Sequence, residues 1–390
     1  MKILVPTFGG DAGRSGIGRY IIQLLRQFDA LAGERPDLDF EVLVFEDEEE
    51  IFLGGISKLA VRRLPGRYAP PVRNILWHQT RLPSVLRESS ADVLFLPAGN
   101  RRLVWSSPVP AVGTVHDFSA LHMTGKYDPA RTLYIKKVLP AFVRRLDRVL
   151  TVSESSARDI VEYAGVPAER VDVVPCGVDL ELYRPGDPEA GRALARERFG
   201  VRGPYLLYVS RLEHPGKNHV GLIRAWNLLR ERGFDVELLL AGGDWNGAEA
   251  VRAEAAASPW KEDIHLPGFV SDADLPALYA GAEALSFPSL YEGFGLPVLE
   301  AMAAGCPVAC ADRSSLPEVA GDAALLYDPE DPGSQARALE RLLREPALRE
   351  ELRRRGRERA RAYTWRRAAE GVIQSLERAL CGRRGGRRAA

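Results

Sequence analysis

Short apolar runs alternate with amphipathic stretches through most of the chain, and that alternation predicts parallel sheets with crossover helices. In the first half the runs at 2–6, 41–45, 93–96, 111–115 and 148–152 read as strands. Between them, 17–28 carries apolar residues at helical spacing, and 132–146 does the same with Lys and Arg on its other face. Ser153-Glu154-Ser155-Ser156 offers a cap for a helix over 155–163. The pattern breaks near 171–185, where a strand ends at Pro175, Cys176-Gly177-Val178-Asp179 turns the chain and Pro185-Gly186-Asp187-Pro188 interrupts any helix. A second series follows at 205–209, 236–241, 264–266, 284–287, 307–311 and 324–327. The reading is an α/β chain of two Rossmann-like domains, 1–178 and 179–365, with a helix over about 366–382 packing back on the first and a frayed tail after it.

Composition narrows the function classes. With 46% hydrophobic and 27% charged residues, the 390-residue chain is neither disordered nor fibrous. Lys+Arg and Asp+Glu are both 53, so the broad positive field of a nucleic-acid binder is missing and any electrostatic function is local. Cys176, Cys306, Cys310 and Cys381 are too irregularly spaced for a disulfide framework or a zinc pair, which suits a reducing cytosol. The first apolar run is too short for a signal peptide, and no stretch reaches the 18 apolar residues of a membrane span. A cytoplasmic protein, or one lying on a membrane, is expected.

The most informative segment runs from Ser286 to Gly305. A strand ends near Phe287, a loop with Gly293 and Gly295 follows, and Pro297 suits the first turn of a helix that Gly305 can end. The glycines allow close backbone approach, and the free N–H groups of the helix start favour an anion such as a diphosphate. Glu300 falls about one turn inside that helix, where its carboxylate can accept from vicinal hydroxyls such as those of a ribose. Glu292 precedes the glycines and can face a sugar. The alternative is a glycine turn with two surface glutamates.

Arg211 and Lys217 follow the strand at 205–209. One as a fork and the other as a point charge, they can converge on an anion and stabilise a departing nucleoside diphosphate; alternatively they are two solvated loop residues. In the first half, the loop from Gly9 to Arg19, including Gly16, can cradle a phosphate or let a sugar approach the backbone. As a dinucleotide fingerprint it fails, because Ile21 stands where a third glycine should fall. His116 ends the strand at 111–115, at the edge where open α/β sheets bind ligands, and can donate to a substrate hydroxyl or phosphate or simply pack. Asp37-x-Asp39 and Asp272-x-Asp274 lack a supporting cluster, so capping or solvation is the better account and no metal site is assigned.

Together these elements resemble the retaining, nucleotide-sugar-dependent glycosyltransferases of family 4, with the GT-B fold of two Rossmann-like domains facing across a cleft. The most specific part is Glu292-Gly293-Phe294-Gly295-Leu296-Pro297 with Glu300, supported by Arg211, Lys217 and His116. The resemblance implies that Glu300 holds the donor ribose and that Arg211 and Lys217 hold the diphosphate. It gives Glu292 and the backbone from Gly293 to Leu296 the donor sugar and phosphate, and His116 a hydroxyl of the transferred sugar. The loop around Gly16 would border the acceptor. It further implies no catalytic metal or other cofactor, the nucleotide sugar itself being the substrate. The pattern around His116-Asp117, with 127–146 and 153–160, looks most like bacterial mannosyltransferases of polysaccharide assembly. GDP-mannose is then the first-choice donor and a glycan or lipid-linked molecule the acceptor. A UDP-sugar, a GT-B epimerase, a nicotinamide-dependent oxidoreductase and a binding subunit without turnover are the alternatives.

The neutral total conceals one uneven stretch. Between Glu50 and Glu88 no acidic residue occurs, while Lys58, Arg62, Arg63, Arg67, Arg73, Arg81 and Arg87 alternate with Leu59, Val61, Leu64, Ile75, Leu76 and Trp77. Such a segment can rest on the anionic inner face of a membrane with Trp77 at the interface, or it can be a basic loop lining the acceptor cleft. Pro65, Pro70 and Pro71 rule out one continuous helix.

Overall fold

The computed structural model describes residues 1–123 and 132–388. These divide into two compact units: 1–121, 132–177 and 365–388 form the first, and 178–364 with His122 and Met123 form the second. The division falls one residue before the expected break after Val178, whose N–H donates to Tyr363 O at 3.0 Å within the second unit. Of the 127–146 stretch, residues 127–131 lie outside the described residues.

The first unit is built on seven parallel strands, β1 (Lys2–Pro6), β2 (Asp39–Phe45), β3 (Ala60–Leu64), β4 (Val93–Leu96), β5 (Ala111–Thr114), β6 (Arg148–Thr151) and β7 (Val171–Val173), in the order β3-β2-β1-β4-β5-β6-β7. Helices cover both faces of the inner strands, so Ile3 to Val5, Val42 to Val44 and Val93 to Leu96 are buried as unbroken apolar runs rather than alternating ones. α1 (Gly16–Glu34) starts where Ser15 Oγ accepts from Gly18 N at 3.2 Å. α2 (Pro71–Thr80) has Pro at its first turn, and α3 (Glu154–Ala164) is capped by Ser153 and ends on left-handed Gly165.

The basic stretch departs from expectation. Its first part is the edge strand β3, where Arg62 donates to Glu41 Oε1 at 2.7 Å and Glu88 Oε2 at 3.1 Å, and Arg63 grips Glu49 at 2.5 and 2.7 Å. Leu59, Leu64 and Trp77 are buried, with Trp77 edge-on to Phe8 at 5.6 Å. Trp77 is therefore a core residue and not an interfacial anchor. What remains outside is the other face of α2, with Val72 71% and Leu76 58% exposed beside Arg67 and Arg73.

The second unit has six parallel strands, β8 (Tyr205–Val209), β9 (Glu237–Ala241), β10 (Ile264–Gly268), β11 (Ala284–Phe287), β12 (Val308–Ala311) and β13 (Ala324–Tyr327), ordered β10-β9-β8-β11-β12-β13. The order reverses between β8 and β11, as it does between β1 and β4 in the first unit. At such a point the crossovers leave to opposite sides and open a crevice at the strands' carboxyl ends. Two helices begin there, α4 (His219–Glu231) after β8 and α5 (Leu296–Ala303) after β11.

The last helix, α6 (Trp365–Arg388), belongs to the first unit, where it packs on α1 and on β4 to β6. Arg366 pairs with Glu34 at 2.6 Å, while Ser375 and Arg378 reach Asp172 at 2.6 and 2.8 Å. No helix among the described residues is long and apolar enough to cross a membrane.

Candidate functional site

In the second unit the loops after β8 and β11 are joined as one structure. Lys217 Nζ donates to Glu292 Oε1 at 2.6 Å, with both side chains more than four-fifths buried. Leu290 N donates to Gly216 O at 2.9 Å, and Tyr208 OH donates to Lys217 O at 2.7 Å while lying 3.1 Å from Ser289 Oγ. The sequence analysis named Lys217 and Glu292 separately; the fold makes them a pair.

The glycine loop is held from behind. Ser315, buried after β12, sets its hydroxyl 2.9 Å from the carbonyl oxygens of both Glu292 and Phe294, and Glu292 N donates to Ser314 Oγ at 2.8 Å. Gly295 caps α5 at φ 102°, a left-handed conformation that disfavours a side chain, and a Cβ there would stand 2.7 Å from Leu316. Gly293 and Leu296 flank it half-buried, and Phe294 is buried with its ring 6.0 Å from Tyr363. Glu300, the fifth residue of α5, is only 3% exposed and accepts from Tyr279 OH at 3.2 Å. Neither glutamate is a surface residue. Burial of a carboxylate is costly unless hydrogen bonds and charge compensate it, so two such positions in one loop and helix indicate a built polar site.

Arg211 is oriented differently from Lys217. Its guanidinium lies 4.3 Å over the half-exposed Trp245 ring and 3.7 Å from the buried Glu213 carboxylate. A stacked planar cation gives up less side-chain freedom when it binds a ligand than a solvated one does. Trp245, Ser314, Ser315 and Tyr279 were not singled out in the sequence. Their one signal is that Trp245 and the two serines, like the residues that were, directly follow strands.

In the first unit, His116 follows β5 and is buried, with its ring edge-on to Tyr20 at 4.8 Å. Its Nε2 lies 2.8 Å from Pro97 O, which can only accept, so Nε2 carries the hydrogen and Nδ1 keeps its lone pair. Burial pushes the imidazole down to about 4, which keeps it neutral at pH 7. The expectation that His116 donates to a substrate is therefore corrected: this ring can accept from a hydroxyl. Gly16 opens α1, and a Cβ there would meet nothing, whereas one on Gly18 would stand 2.3 Å from Gly10 O. The steric demand for glycine in this loop falls on Gly18, and the open space lies at Gly16.

His78 and His219 are buried as well, pushed down by desolvation to about 4 and about 3. Below pH 6.5 the unfolded chain takes up protons that these folded rings refuse, so stability falls with falling pH through the window from 6.5 toward 4. At pH 5 the expected loss is about 2 kcal/mol per histidine, above the range where most carboxylates titrate. Denaturation midpoints measured from pH 7 to 5 check this; a flat profile would contradict the buried neutral rings.

Among the described residues, no three His, Cys, Asp or Glu side chains gather as a metal set. The acidic pairs noted in the sequence are engaged by other partners: Asp37 accepts from Arg35 at 2.8 and 2.6 Å, and Asp274 accepts from Arg198 and from Ser271.

Residues 14–182 match the family described as Glycosyltransferase Family 4, and residues 193–359 match Glycosyl transferases group 1. The chain is 34% identical to O-antigen chain mannosyltransferase B of Escherichia coli, over 97% of its own length and 100% of that protein's. It is 36% identical to a D-inositol 3-phosphate glycosyltransferase of Salinispora arenicola, over 94% of this chain and 87% of the other. Among solved structures, HepE of Anabaena in complex with UDP and glucose superposes with a TM-score of 0.74 at 19% identity, over 97% of this chain and 99% of that one, a likeness of fold. With both halves matched and a relative similar along its whole length, the chain belongs to the family 4 glycosyltransferases of the GT-B fold and resembles their bacterial mannosyltransferases.

Proposed function

We propose that the protein is a retaining hexosyltransferase that moves mannose from GDP-mannose to a glycan or lipid-linked acceptor, with no metal or other cofactor. The observation that carries this reading is the Lys217–Glu292 pair at the β8/β11 crevice, beside the glycine loop and the buried Glu300. A diphosphate seated on the start of α5 has Lys217 and Arg211 as its cations, Glu300 for the ribose and Glu292 toward the sugar. The E. coli relative's name favours mannose. The Salinispora relative's name specifies no donor, and the UDP bound to HepE keeps a UDP-sugar as the alternative.

In the step we infer, the bond from the anomeric carbon to the diphosphate oxygen breaks, and its electron pair leaves on that oxygen. Lys217 and Arg211 stabilise the developing charge. The acceptor oxygen bonds to the same face of the anomeric carbon, and its proton passes to the departing diphosphate. His116, neutral and accepting through Nδ1, suits a substrate hydroxyl at the first unit. The exposed Val72, Ile75 and Leu76 of α2, beside Arg67 and Arg73, support peripheral contact with an anionic membrane on the cytoplasmic side. Binding to anionic vesicles at low salt that is lost at high salt is the signature of that contact.

A thermal-shift screen with GDP, UDP and NAD, followed by turnover assays with GDP-mannose, tests the donor. GDP should raise the midpoint most, since a ligand stabilises in proportion to the logarithm of its concentration over Kd. A larger shift with UDP would replace the donor, and a shift with NAD alone would end the transferase reading of the site.

A further inference from the structure

The reversal of strand order in the first unit carries polar groups that the donor chemistry leaves unused. Gly9 lies just beyond β1, and Arg101 and Arg102 lie beyond β4. Arg101 Nη1 donates to Gly9 O at 2.8 Å and pairs with Asp11 Oδ2 at 2.5 Å. Arg102 has no such counter-ion: its Nε donates to Asn74 Oδ1 and its Nη1 to Arg101 O at 2.9 Å, and among the described residues no carboxylate lies in ion-pair contact with it.

Behind Arg102 stand Asn74 and His78, one turn apart on α2 and both 0% exposed. Asn74 Nδ2 and His78 Nε2 have no hydrogen-bond partner. The amide orientation is fixed, because turning it over would set an NH2 against the guanidinium N–H. His78 Nδ1 meets Asn74 O at 2.9 Å and must donate to it, so Nε2 holds a lone pair. Burial first, and then the neighbouring Arg101 charge, pull the Arg102 guanidinium below its ordinary value, with only partial relief from Tyr134 and Asp11.

A half-buried cation without a counter-ion, next to a second cation and an unsatisfied amide donor, is costly in the ligand-free protein. One tetrahedral oxyanion removes most of that cost. It can accept from the free edge of Arg102, and it supplies the missing negative charge. Asn74 Nδ2 and His78 Nε2 are closed to solvent behind Arg102, so they reach the oxyanion, the one as donor and the other as acceptor of its hydrogen, only when the Arg102 side chain shifts. Asp11 already neutralises Arg101, so the cluster carries a net single positive charge, enough for such a group. The site also lies where open α/β sheets bind their ligands.

We propose that the Arg102–Asn74–His78 cluster of the first unit seats a phosphoryl group carried by the acceptor, with Arg101 at its rim. This rests on the transferase reading, because it is that reading that gives the first unit an acceptor to hold.

The test uses the full chain with GDP present at saturation, so that the second unit's diphosphate site is filled. Inorganic phosphate should raise the melting temperature beyond a chloride control of equal ionic strength. R102M should weaken the apparent phosphate affinity at least tenfold while leaving the response to GDP intact. N74D guards against a variant that fails to fold, because it gives Arg102 a carboxylate partner within the protein. It should melt no lower than the parent in chloride and lose the phosphate response. A parent with no phosphate response beyond chloride, or an N74D that keeps the full response, overturns the proposal. Absence of any response to GDP would instead strike the donor reading.

Two further arms identify the source of the phosphoryl group. An Arg102-dependent shift with glycerol phosphate supports a soluble phosphomonoester. Arg102-dependent sedimentation with phosphatidylcholine vesicles containing phosphatidic acid supports a lipid-borne one. If neither depends on Arg102, the assignment to the acceptor is wrong.

Discussion

Lys217→Ala should lower kcat by about 10²- to 10³-fold with donor at saturation. On the proposed reading Lys217 is the cation that follows charge as it builds on the departing diphosphate, and its 2.6 Å contact with Glu292 fixes its direction before any ligand arrives. An interaction that strengthens toward the transition state appears in kcat, whereas uniform binding appears in KM. The substitution has a second effect, since it leaves the mostly buried Glu292 carboxylate without its counter-charge and facing an anionic donor. GDP affinity should therefore fall as well, and Lys217→Ala/Glu292→Ala should recover part of it relative to Lys217→Ala alone. Steady-state kinetics with a double-mutant cycle on GDP affinity measures both effects. Normal turnover in Lys217→Ala would reduce the residue to a structural clasp between two loops.

Glu300→Gln should weaken nucleotide affinity by about 10- to 150-fold, the range of a lost charge-assisted hydrogen bond or two. Glutamine is the sharper probe because it keeps the volume of this buried side chain and an oxygen for Tyr279 OH, so that charge is the main thing removed. Titration calorimetry against GDP reads the effect directly, and thermal melting of the free variant separates it from misfolding. Unchanged affinity with unchanged turnover would remove Glu300 from the nucleotide site and leave it as a buried partner of Tyr279.

The parts of this molecule that could be read from the sequence are those whose physics is local. Strands covered on both faces, such as β1, β4 and β11, appear as unbroken apolar runs, and their positions were legible to within a residue. β3 was not, because an edge strand need not be apolar: Arg62 and Arg63 are accommodated by Glu41, Glu49 and Glu88, partners that no local window contains. The same divide runs through the candidate site. Glu292, the glycines and Glu300 lie within one loop and one helical turn and share a local logic. The contact of Lys217 with Glu292 spans 75 residues and exists only because β8 and β11 are neighbours. Ser315 supports the loop from a third strand, and Trp245 steadies Arg211 from a fourth. His116 shows the limit of residue type alone, since its position at a strand end was legible but its proton was placed by Pro97 O, a partner on the neighbouring connection.

The helix α6 sets the timetable of synthesis. Val372, Ile373 and Leu376 are buried in the first unit, and Asp172 on β7 takes bonds from both Ser375 and Arg378. The first 177 residues therefore emerge from the ribosome with an apolar face uncovered, and the whole of the second unit is made before the helix that covers it. The half begun first is the half finished last. A nascent chain in that state offers an open hydrophobic surface to chaperones for as long as 187 further residues take to be joined, 364 minus 177. A fragment cut at Gly177 would stay in that unfinished condition, while the stretch from Val178 to Thr364 has no such wait.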